Sequence, residues 1–227
     1  MKAKSDLLSA QRQQKTTPVA PAGRRATARL PAPERRAQIL SKAYEFFSEY
    51  GLTAQTRALA EACGVSQRLL YSVFPSKAAL IEAVYEKEIA GVFKAHWFVL
   101  LRDRSQPMEQ RLIAFYNEYY DTVLTRRWLR LFLYASLAEV EMAPTYIAAL
   151  ITHLLETIVQ EAVLEAGLRR PRSKALQQEL GWILHGSVSH LAIRRHIYRG
   201  TAEIDAEKVI ALQVRSFLHG LPTLLKN

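Results

Sequence analysis

Apolar residues recur every three or four positions along almost all of the chain beyond residue 32. That period predicts amphipathic helices. The first predicted helix spans 33–50 and ends at Gly51, a residue that readily takes the left-handed conformation common at helix C-termini. Two short helices then flank the turn Gly64-Val65-Ser66, and a long helix is predicted over about 76–102.

Hydroxyl residues stand where three of these helices should begin. Thr56, Ser66 and Ser76 each precede an apolar repeat, and their side-chain oxygens can accept hydrogen bonds from free N–H groups of the first helical turn. Cys63, just before the turn, is expected to be a small buried hydrophobic residue. Two short helices joined by so tight a turn indicate a helix-turn-helix, which presents its second helix to the major groove of DNA.

The rest of the sequence also follows the helical period. Further helices are predicted over about 107–125, 126–141, 144–167, 173–199 and 203–219. We find no strand pattern and no internal repeat. The predicted fold class is all-α, with an N-terminal three-helix head that contains the helix-turn-helix and a larger C-terminal helical bundle. The expected segments are an arm at 1–32, the head at 33–80 and the bundle at 81–227.

Positive charge is concentrated at the N-terminus. The chain carries a formal net charge of +10, of which residues 1–32 contribute +6 through seven basic residues and one acidic residue. This segment has no apolar period and several prolines, so it is expected to be a flexible arm. A basic arm can bind phosphates electrostatically. A solvated leader without that role is the alternative.

The composition argues against several classes of protein. Cys63 is the only cysteine, which excludes an internal disulfide and a thiolate metal cluster. No uninterrupted apolar run approaches the ~18 residues of a membrane span. The N-terminus lacks the apolar core of a signal peptide, although its Arg-rich, acid-poor composition leaves an organelle transit peptide as an alternative. We therefore expect a cytoplasmic protein that does not bind membranes.

The sequence also lacks the common catalytic motifs. GxGxxG, GxSxG, a P-loop and HExxH are all absent, so we expect no catalytic residue, no cofactor and no enzyme activity. His153 and Glu156 are spaced three apart on one predicted helix face. Two ligands alone make a poor metal site, and no metal is expected there.

The helix after the turn begins with side chains that can read bases. Its first residues are Ser66-Gln67-Arg68-Leu69, and a recognition helix meets the base edges with its N-terminal end. Gln67 can pair with adenine, Arg68 with guanine, and Leu69 can contact a thymine methyl group.

This region resembles the DNA-binding segment of the TetR family of transcriptional regulators. The family pattern stands here as Thr56-Arg57-Ala58-Leu59-Ala60, Ala62-Cys63-Gly64-Val65-Ser66 and Leu70-Tyr71-Ser72-Val73-Phe74-Pro75-Ser76-Lys77-Ala78-Ala79-Leu80. The resemblance implies a DNA-binding set in which Arg57 and the residues of the recognition helix read bases, and Thr56, Tyr71 and Lys77 hold phosphate. The full set is Thr56, Arg57, Ser66, Gln67, Arg68, Leu69, Tyr71, Ser72 and Lys77.

Two positions depart from the family pattern. Arg68 stands where many members have Gly or Pro, and Val73 stands where many have His or Tyr. Because Val73 cannot hydrogen-bond a phosphate, one usual backbone contact is missing. The basic arm is one possible replacement.

The bundle is rich in aromatic residues. Aromatic side chains at helical spacing can simply form the core, and that interpretation stays open here. The resemblance implies instead a ligand cavity between the helices, with apolar walls and a few polar groups. The residues predicted to line it are Trp97, Tyr116, Asn117, Tyr120, Trp128, His153, Trp182 and His185.

The last two predicted helices carry apolar stripes and small residues such as Gly186 and Ser187. Packing within one subunit explains these equally well. The resemblance implies that this helix pair forms a two-fold homodimer. A dimer is also required physically, since one short recognition helix reads too few bases for useful specificity.

The predicted function is a sequence-specific DNA-binding transcriptional regulator. By resemblance it is a repressor whose partners are a double-stranded DNA operator, a second copy of the chain and a small, largely apolar effector that releases the DNA. A long helix from Ser76 would connect the head to the bundle. The alternative is a helical interaction protein that kept the fold but lost specific DNA binding.

Overall fold

The computed structural model describes residues 30–138, 142–200 and 203–225. This part of the chain is all-α and contains no strand, which confirms the predicted fold class. The helices are α1 (Ala32–Tyr50), α2 (Thr56–Ala62), α3 (Gln67–Val73), α4 (Lys77–Val84, continued in π-helical form over Tyr85–Ala90), α5 (His96–Arg102), α6 (Met108–Thr122), α7 (Arg126–Leu137), α8 (Met142–Tyr146, continued in π-helical form over Ile147–Ile151), α9 (Thr152–Glu165), α10 (Lys174–His196) and α11 (Ala206–Leu224).

The chain from Ala32 onwards forms one compact unit. The boundary predicted between head and bundle at residue 80 falls inside that unit and stays a prediction. The arm predicted at 1–32 lies almost entirely outside the described residues.

The head is held together by the apolar face of α1. Ile39 and Phe47 are completely buried, and they pack in the same core as Leu59 of α2 and Leu70 of α3. Cys63 is 1% exposed, and its Sγ lies 3.8 Å from the carbonyl oxygen of Ile39. Burial raises the pKa of this thiol to about 11, so Cys63 is an inert apolar residue, as the sequence predicts.

Two of the three predicted helix caps are present. Ser66 accepts a hydrogen bond from the Leu69 N–H at 3.2 Å, and Ser76 accepts one from Ala79 at 3.0 Å. The prediction for Thr56 is wrong, because Gln55 occupies the cap position with an extended backbone and Thr56 is already helical. The Thr56 hydroxyl accepts a hydrogen bond from Tyr71 instead.

The predicted long helix over 76–102 is interrupted. After α4 the helix widens over Tyr85–Ala90, so that the Gly91 N–H donates to the Glu86 carbonyl at 2.8 Å. A Cβ at Gly91 would lie 2.6 Å from the Lys87 carbonyl oxygen, so this close approach requires glycine. The chain then turns and starts again as α5, which is anchored separately through a hydrogen bond from Trp97 Nε1 to Glu118 at 2.8 Å.

The bundle core is formed by α6 and α9 with α10 and α11 around them. Leu154, Leu155 and Ile158 of α9 have no exposed surface. Gly181 of α10 permits close contact there, because a Cβ at this position would lie 2.7 Å from Leu155 Cβ. In the described part of the chain one stretch, Pro144–Glu165, is long and apolar enough to cross a membrane by length and composition alone. Half of its apolar window is buried within the protein, as in the core helix of a bundle.

Helix α7 clamps the end of α1. The last carbonyl groups of a helix have no partner within that helix, and here Arg130 supplies one. Its Nε donates to the Ser48 carbonyl and its Nη2 to the Glu49 carbonyl at 2.7 Å. Arg126 adds an ion pair to the Glu49 carboxylate at 3.1 Å. The bundle therefore holds the head directly through α7.

Candidate nucleic-acid interface

Helix α3 is amphipathic in the way that base reading requires. Leu70 is 2% exposed and fixes the helix to the core of the head. Gln67 and Arg68 are exposed on its first turn, and Leu69 is half-buried. The turn before α3 is made by Gly64, whose φ of 68° lies in the left-handed region. The predicted base-reading side chains thus lie together at the solvent-facing N-terminal end of α3.

Arg57 of α2 lies beside that surface. Together with Gln67 it lines a shallow hollow whose other walls are Ala60, Glu61 and Val65. Glu61 was missed by the sequence analysis, although it stands four residues after Arg57 and so on the same helix face. A carboxylate at this place can accept a hydrogen bond from cytosine N4 and disfavours a nearby phosphate.

The residues predicted to hold phosphate divide into two groups. The Tyr71 hydroxyl donates to Thr56 Oγ1 at 3.3 Å, so α3 brings these two predicted residues together on an exposed surface. Lys77 makes a separate contact, since its Nζ donates to the Ala54 carbonyl at 2.6 Å, and its phosphate contact stays a prediction. Partial burial lowers the pKa of Lys77. This ammonium group fastens the turn before α2.

Two further side chains lie at this surface. The Ser72 hydroxyl donates to the Leu69 carbonyl at 2.7 Å, within its own helix. The exposed guanidinium of Arg36 on α1 lies 4.3 Å from the centre of the Phe74 ring, at the C-terminal end of α3. Sequence spacing could not reveal Arg36, because the stacking depends on how α1 crosses α3.

A separate cavity of about 150 Å³ lies inside the bundle. Of the eight predicted ligand-binding residues, Trp128, Trp182 and His185 line it. The remaining lining residues are Tyr119, Leu124, Leu129, Phe132, Leu133, Tyr146, Ile147, Ile151, Ser189 and Ile193. Trp128 and Phe132 stack with their ring centres 4.7 Å apart, and Tyr146 meets Trp128 edge-on at 5.4 Å.

The other five predicted residues do not line this cavity. Trp97 is completely buried and hydrogen-bonded to Glu118. The ring of Tyr120 lies 5.5 Å from that of His196, and the ring of His153 lies 4.7 Å from that of Phe98. Tyr116 is buried and Asn117 is half-buried elsewhere on α6. Within the described ranges, no group of three or more potential metal-ligating side chains includes His153 and Glu156.

His185 is the most unusual polar group of the cavity wall. It is 4% exposed, and its Nδ1 is buried without a hydrogen-bond partner among the described residues. Burial lowers the pKa of His185 from its ordinary value of 6.5 to about 4. The imidazole is therefore neutral near pH 7.

Stability should depend on pH through this histidine. Between its ordinary pKa and the lowered one, the unfolded chain binds a proton that the folded chain does not, so the free energy of unfolding should fall as the pH is lowered from 6.5 to about 4. Denaturant unfolding between about pH 4.5 and 7 should show a shallower pH slope for His185→Phe than for the wild type. Equal slopes for wild type and His185→Phe would contradict the assignment.

The outer face of α10 and α11 is apolar and open. Ile183 is 51% exposed and Leu212 is 58% exposed, and both border a groove floored by Ser187 and Gly220. No atom lies within 4 Å of a Cβ built on Gly186. Phe217, in contrast, is 4% exposed and packs into its own subunit. The apolar stripes predicted on these helices thus have an inner part within the subunit and an outer part left uncovered.

Comparison with known proteins confirms the resemblance to the TetR family. Residues 39–84 match the family model for bacterial regulatory proteins, tetR family. A TetR-like transcriptional regulator from Rhodococcus sp. RHA1 shares the fold with a TM-score of 0.63 at 18% identity, covering 86% of this chain and 99% of that one. The TetR family transcriptional regulator PfmR from Thermus thermophilus does so with a TM-score of 0.59 at 21% identity, covering 81% and 98%. No curated protein matches the chain.

Proposed function

We propose that this chain, which has the fold of TetR-family transcriptional regulators, is a cytoplasmic, homodimeric repressor. It binds a double-stranded DNA operator and leaves it when a small, largely apolar ligand occupies the bundle cavity. The observation that carries the DNA-binding part is α3, which is fixed inside by Leu70 and exposes Gln67 and Arg68 on its first turn.

The head would read DNA through α3 and the start of α2. Gln67, Arg68 and Arg57 project from neighbouring helix starts and suit the major groove, where amide and guanidinium groups pair with purine edges. Thr56 and Tyr71 form a hydroxyl pair that suits a phosphate oxygen. Arg36 stacks on Phe74, the residue after Val73, at the other end of α3, and would replace the backbone contact that Val73 cannot make.

The structural change caused by ligand binding would be transmitted to the head through α7. Trp128 and Phe132 form one wall of the cavity, while Arg130 on the same helix holds the last carbonyls of α1. A ligand that displaces the aromatic wall would therefore move the head and change the distance between the two recognition helices of a dimer. Those helices must match half-sites ~34–36 Å apart or a multiple of it. A ligand preference of ~1–3 kcal/mol for the non-binding state weakens DNA binding about 5- to 150-fold.

The central test is a gel shift with DNA from upstream of the gene. Specific binding that weakens steeply with salt is expected of the regulator. No binding at low salt would favour the alternative, a helical interaction protein that kept the fold but lost specific DNA contacts. Val73 is the feature that favours this alternative, because it removes a hydrogen-bonding side chain from the backbone-facing end of α3.

Arg68→Ala should weaken operator binding by ~1–3 kcal/mol and relax base preference at the position that Arg68 reads. The reason is the loss of a paired hydrogen bond to one base pair. Arg170→Ala is a matched control that removes the same charge from an exposed position outside the head. Competition gel shifts with operator variants measure both effects. Wild-type affinity and base preference in Arg68→Ala would refute its assignment.

Arg36→Ala should weaken operator and random DNA by the same factor. A phosphate contact carries no base information, and its loss should reduce the slope of log affinity against log salt by about one unit. Salt titrations of fluorescently labelled DNA provide the measurement, with Arg172→Ala as the equal-charge control at another exposed site. A change in operator preference with no change in salt slope would place Arg36 at a base instead.

A further inference from the structure

Two side chains of opposite charge share the hollow beside the start of α3. Arg57 and Glu61 stand four residues apart on α2, and both are exposed. They line this hollow together with Gln67, the first residue of α3, and with Ala60 and Val65. Side chains at this helical spacing have Cβ atoms about 5–6 Å apart. A base edge that enters the hollow to meet Arg57 therefore meets a carboxylate as well.

Neither charge is neutralised within the part of the chain that the structure describes. Arg57 and Glu61 form no ion pair there, either with each other or with a third residue. Glu45 of α1, in contrast, binds Lys42 at 2.9 Å and Arg127 at 3.7 Å. A free carboxylate on a surface that approaches DNA repels the phosphates, and this repulsion is offset only where the DNA offers the carboxylate a hydrogen-bond donor.

The major-groove edge of a G·C base pair offers matching groups to both side chains. Guanine presents two adjacent acceptors, O6 and N7, which suit the parallel N–H groups of a guanidinium. Cytosine presents the donor N4 amino group in the same groove. An A·T pair matches less well, because adenine places a donor beside N7 and so offers arginine no two adjacent acceptors.

We infer that Arg57 and Glu61 read one G·C base pair together. Arg57 donates to guanine O6 and N7, and Glu61 accepts a hydrogen bond from cytosine N4. This inference rests on the proposed DNA-binding function and adds to it a residue that determines specificity. On a sequence without a suitably placed cytosine, the Glu61 carboxylate has no donor to bind and lowers the affinity for that sequence.

Selection of binding sites from a pool of random DNA duplexes would test the inference. Arg57→Ala and Glu61→Ala should lose the preference for G·C at the same position of the half-site, each by at least about 5-fold. Glu61→Ala should not weaken binding to random DNA, because the substitution removes a negative charge. Damage to the fold would weaken both kinds of binding. Glu179→Ala, which removes an exposed carboxylate from α10, is the matched control and should keep the wild-type preference.

A modified base isolates the hydrogen bond to Glu61. In the selected duplex, the cytosine at this position is replaced by 2-pyrimidinone, which lacks the N4 amino group and leaves the groove edge of guanine unchanged. This replacement should weaken binding of the wild type by at least about 5-fold, because the carboxylate loses its donor. It should have little effect on Glu61→Ala. Glu61→Gln keeps the size of the side chain and an acceptor oxygen, so its loss should lie between these two.

Three results would overturn the inference. The first is a wild-type preference for G·C that survives at every position in Glu61→Ala. The second is a loss of preference at different positions in Arg57→Ala and Glu61→Ala, and the third is an equal effect of 2-pyrimidinone on the wild type and Glu61→Ala. Failure of the proposed function would look different, because the wild type itself would then enrich no sequence from the random pool, which would overturn both proposals.

Discussion

Ile183→Asp should convert the proposed dimer to a monomer and lower its operator affinity by at least about 100-fold. Ile183 is 51% exposed on the outer face of α10, beside the equally uncovered Leu212 of α11. In a two-fold interface each substitution occurs twice, so two carboxylates would be buried without partners. Loss of the dimer removes the second recognition helix, and linking two binding modules typically contributes a factor of about 10²–10⁴ to affinity.

Sedimentation equilibrium and gel shifts on the same preparations would measure this effect. Val99→Asp is the matched control, since Val99 is a 72% exposed aliphatic residue on α5, away from the α10 and α11 face. It should leave both dimer and affinity unchanged. Phe217 is unsuitable for the test, because it is buried within its own subunit and a charge there would unfold the monomer. A wild-type monomer at micromolar concentration, or an unaltered dimer in Ile183→Asp, would contradict the proposed interface.

Arg111→Ala should lower the free energy of unfolding by ~3–5 kcal/mol. Arg111 is 1% exposed, and its guanidinium donates to the Leu101 carbonyl and to the carboxylate of Glu165 at 2.7 Å. A second carboxylate, that of Glu161, lies 3.4 Å away. Removal of the arginine would leave a cavity, an unpaired carbonyl and a largely buried Glu161 with one cation fewer.

Arg104→Ala is the informative control for this substitution. Arg104 holds the same Glu161 carboxylate through two hydrogen bonds of 2.9 Å, but its side chain is 63% exposed. The pair is exposed on its arginine side only, and removal of Arg104 leaves no cavity, so this variant should lose clearly less stability than Arg111→Ala. Denaturant unfolding at a fixed protein concentration would compare the two variants, because the stability of the proposed dimer would depend on concentration. Equal losses of unfolding free energy in the two variants would show that the burial of Arg111 does not determine its contribution to stability.

The head was predictable because its signals are local. A glycine that tolerates a positive φ and a serine that caps the next helix are close together in sequence, and Gly64 and Ser66 have those conformations and contacts in the structure. Thr56 was misassigned for a reason that is not local. Its hydroxyl meets Tyr71, fifteen residues later, and that contact exists only after α2 and α3 have packed.

The break after α4 and the contact of Lys77 could not be predicted from the sequence pattern either, because both depend on residues distant in the sequence. Apolar residues continue at helical spacing through Ile89, Val92 and Phe93, so the pattern carries no sign of the turn. The turn is stabilised from α6, where Glu118 binds Lys94 at 2.6 Å as well as Trp97. Lys77 was predicted from the sequence only as a phosphate ligand, and its bond to the Ala54 carbonyl depends likewise on the fold.

The cavity shows how little residue type says about location in a helical bundle. Trp97 and Trp128 are both buried aromatic residues on amphipathic helices, yet only Trp128 lines the cavity. Tyr119, Phe132 and Tyr146 line it too and were not selected, because aromatic residues at helical spacing look alike whether they fill a core or border a space. The orientation of each helix decides between these outcomes, and one sequence does not encode it in a visible period.

The contact between Arg130 and the end of α1 has a consequence for the construction of hybrid regulators. A sensor is often assembled by fusing the DNA-reading segment of one protein to the effector-sensing segment of another. Here the contacts that join the two segments are contributed by both of them. The acceptor carbonyls of Ser48 and Glu49 belong to the head, and the donor guanidinium of this joint belongs to α7. Gly51 lies in the same joint, where a Cβ would be 3.5 Å from the Tyr134 ring. A chimera cut after residue 80 inherits only half of this joint, so the transplanted head needs a matching arginine and aromatic residue in its new host to respond to the host's ligand.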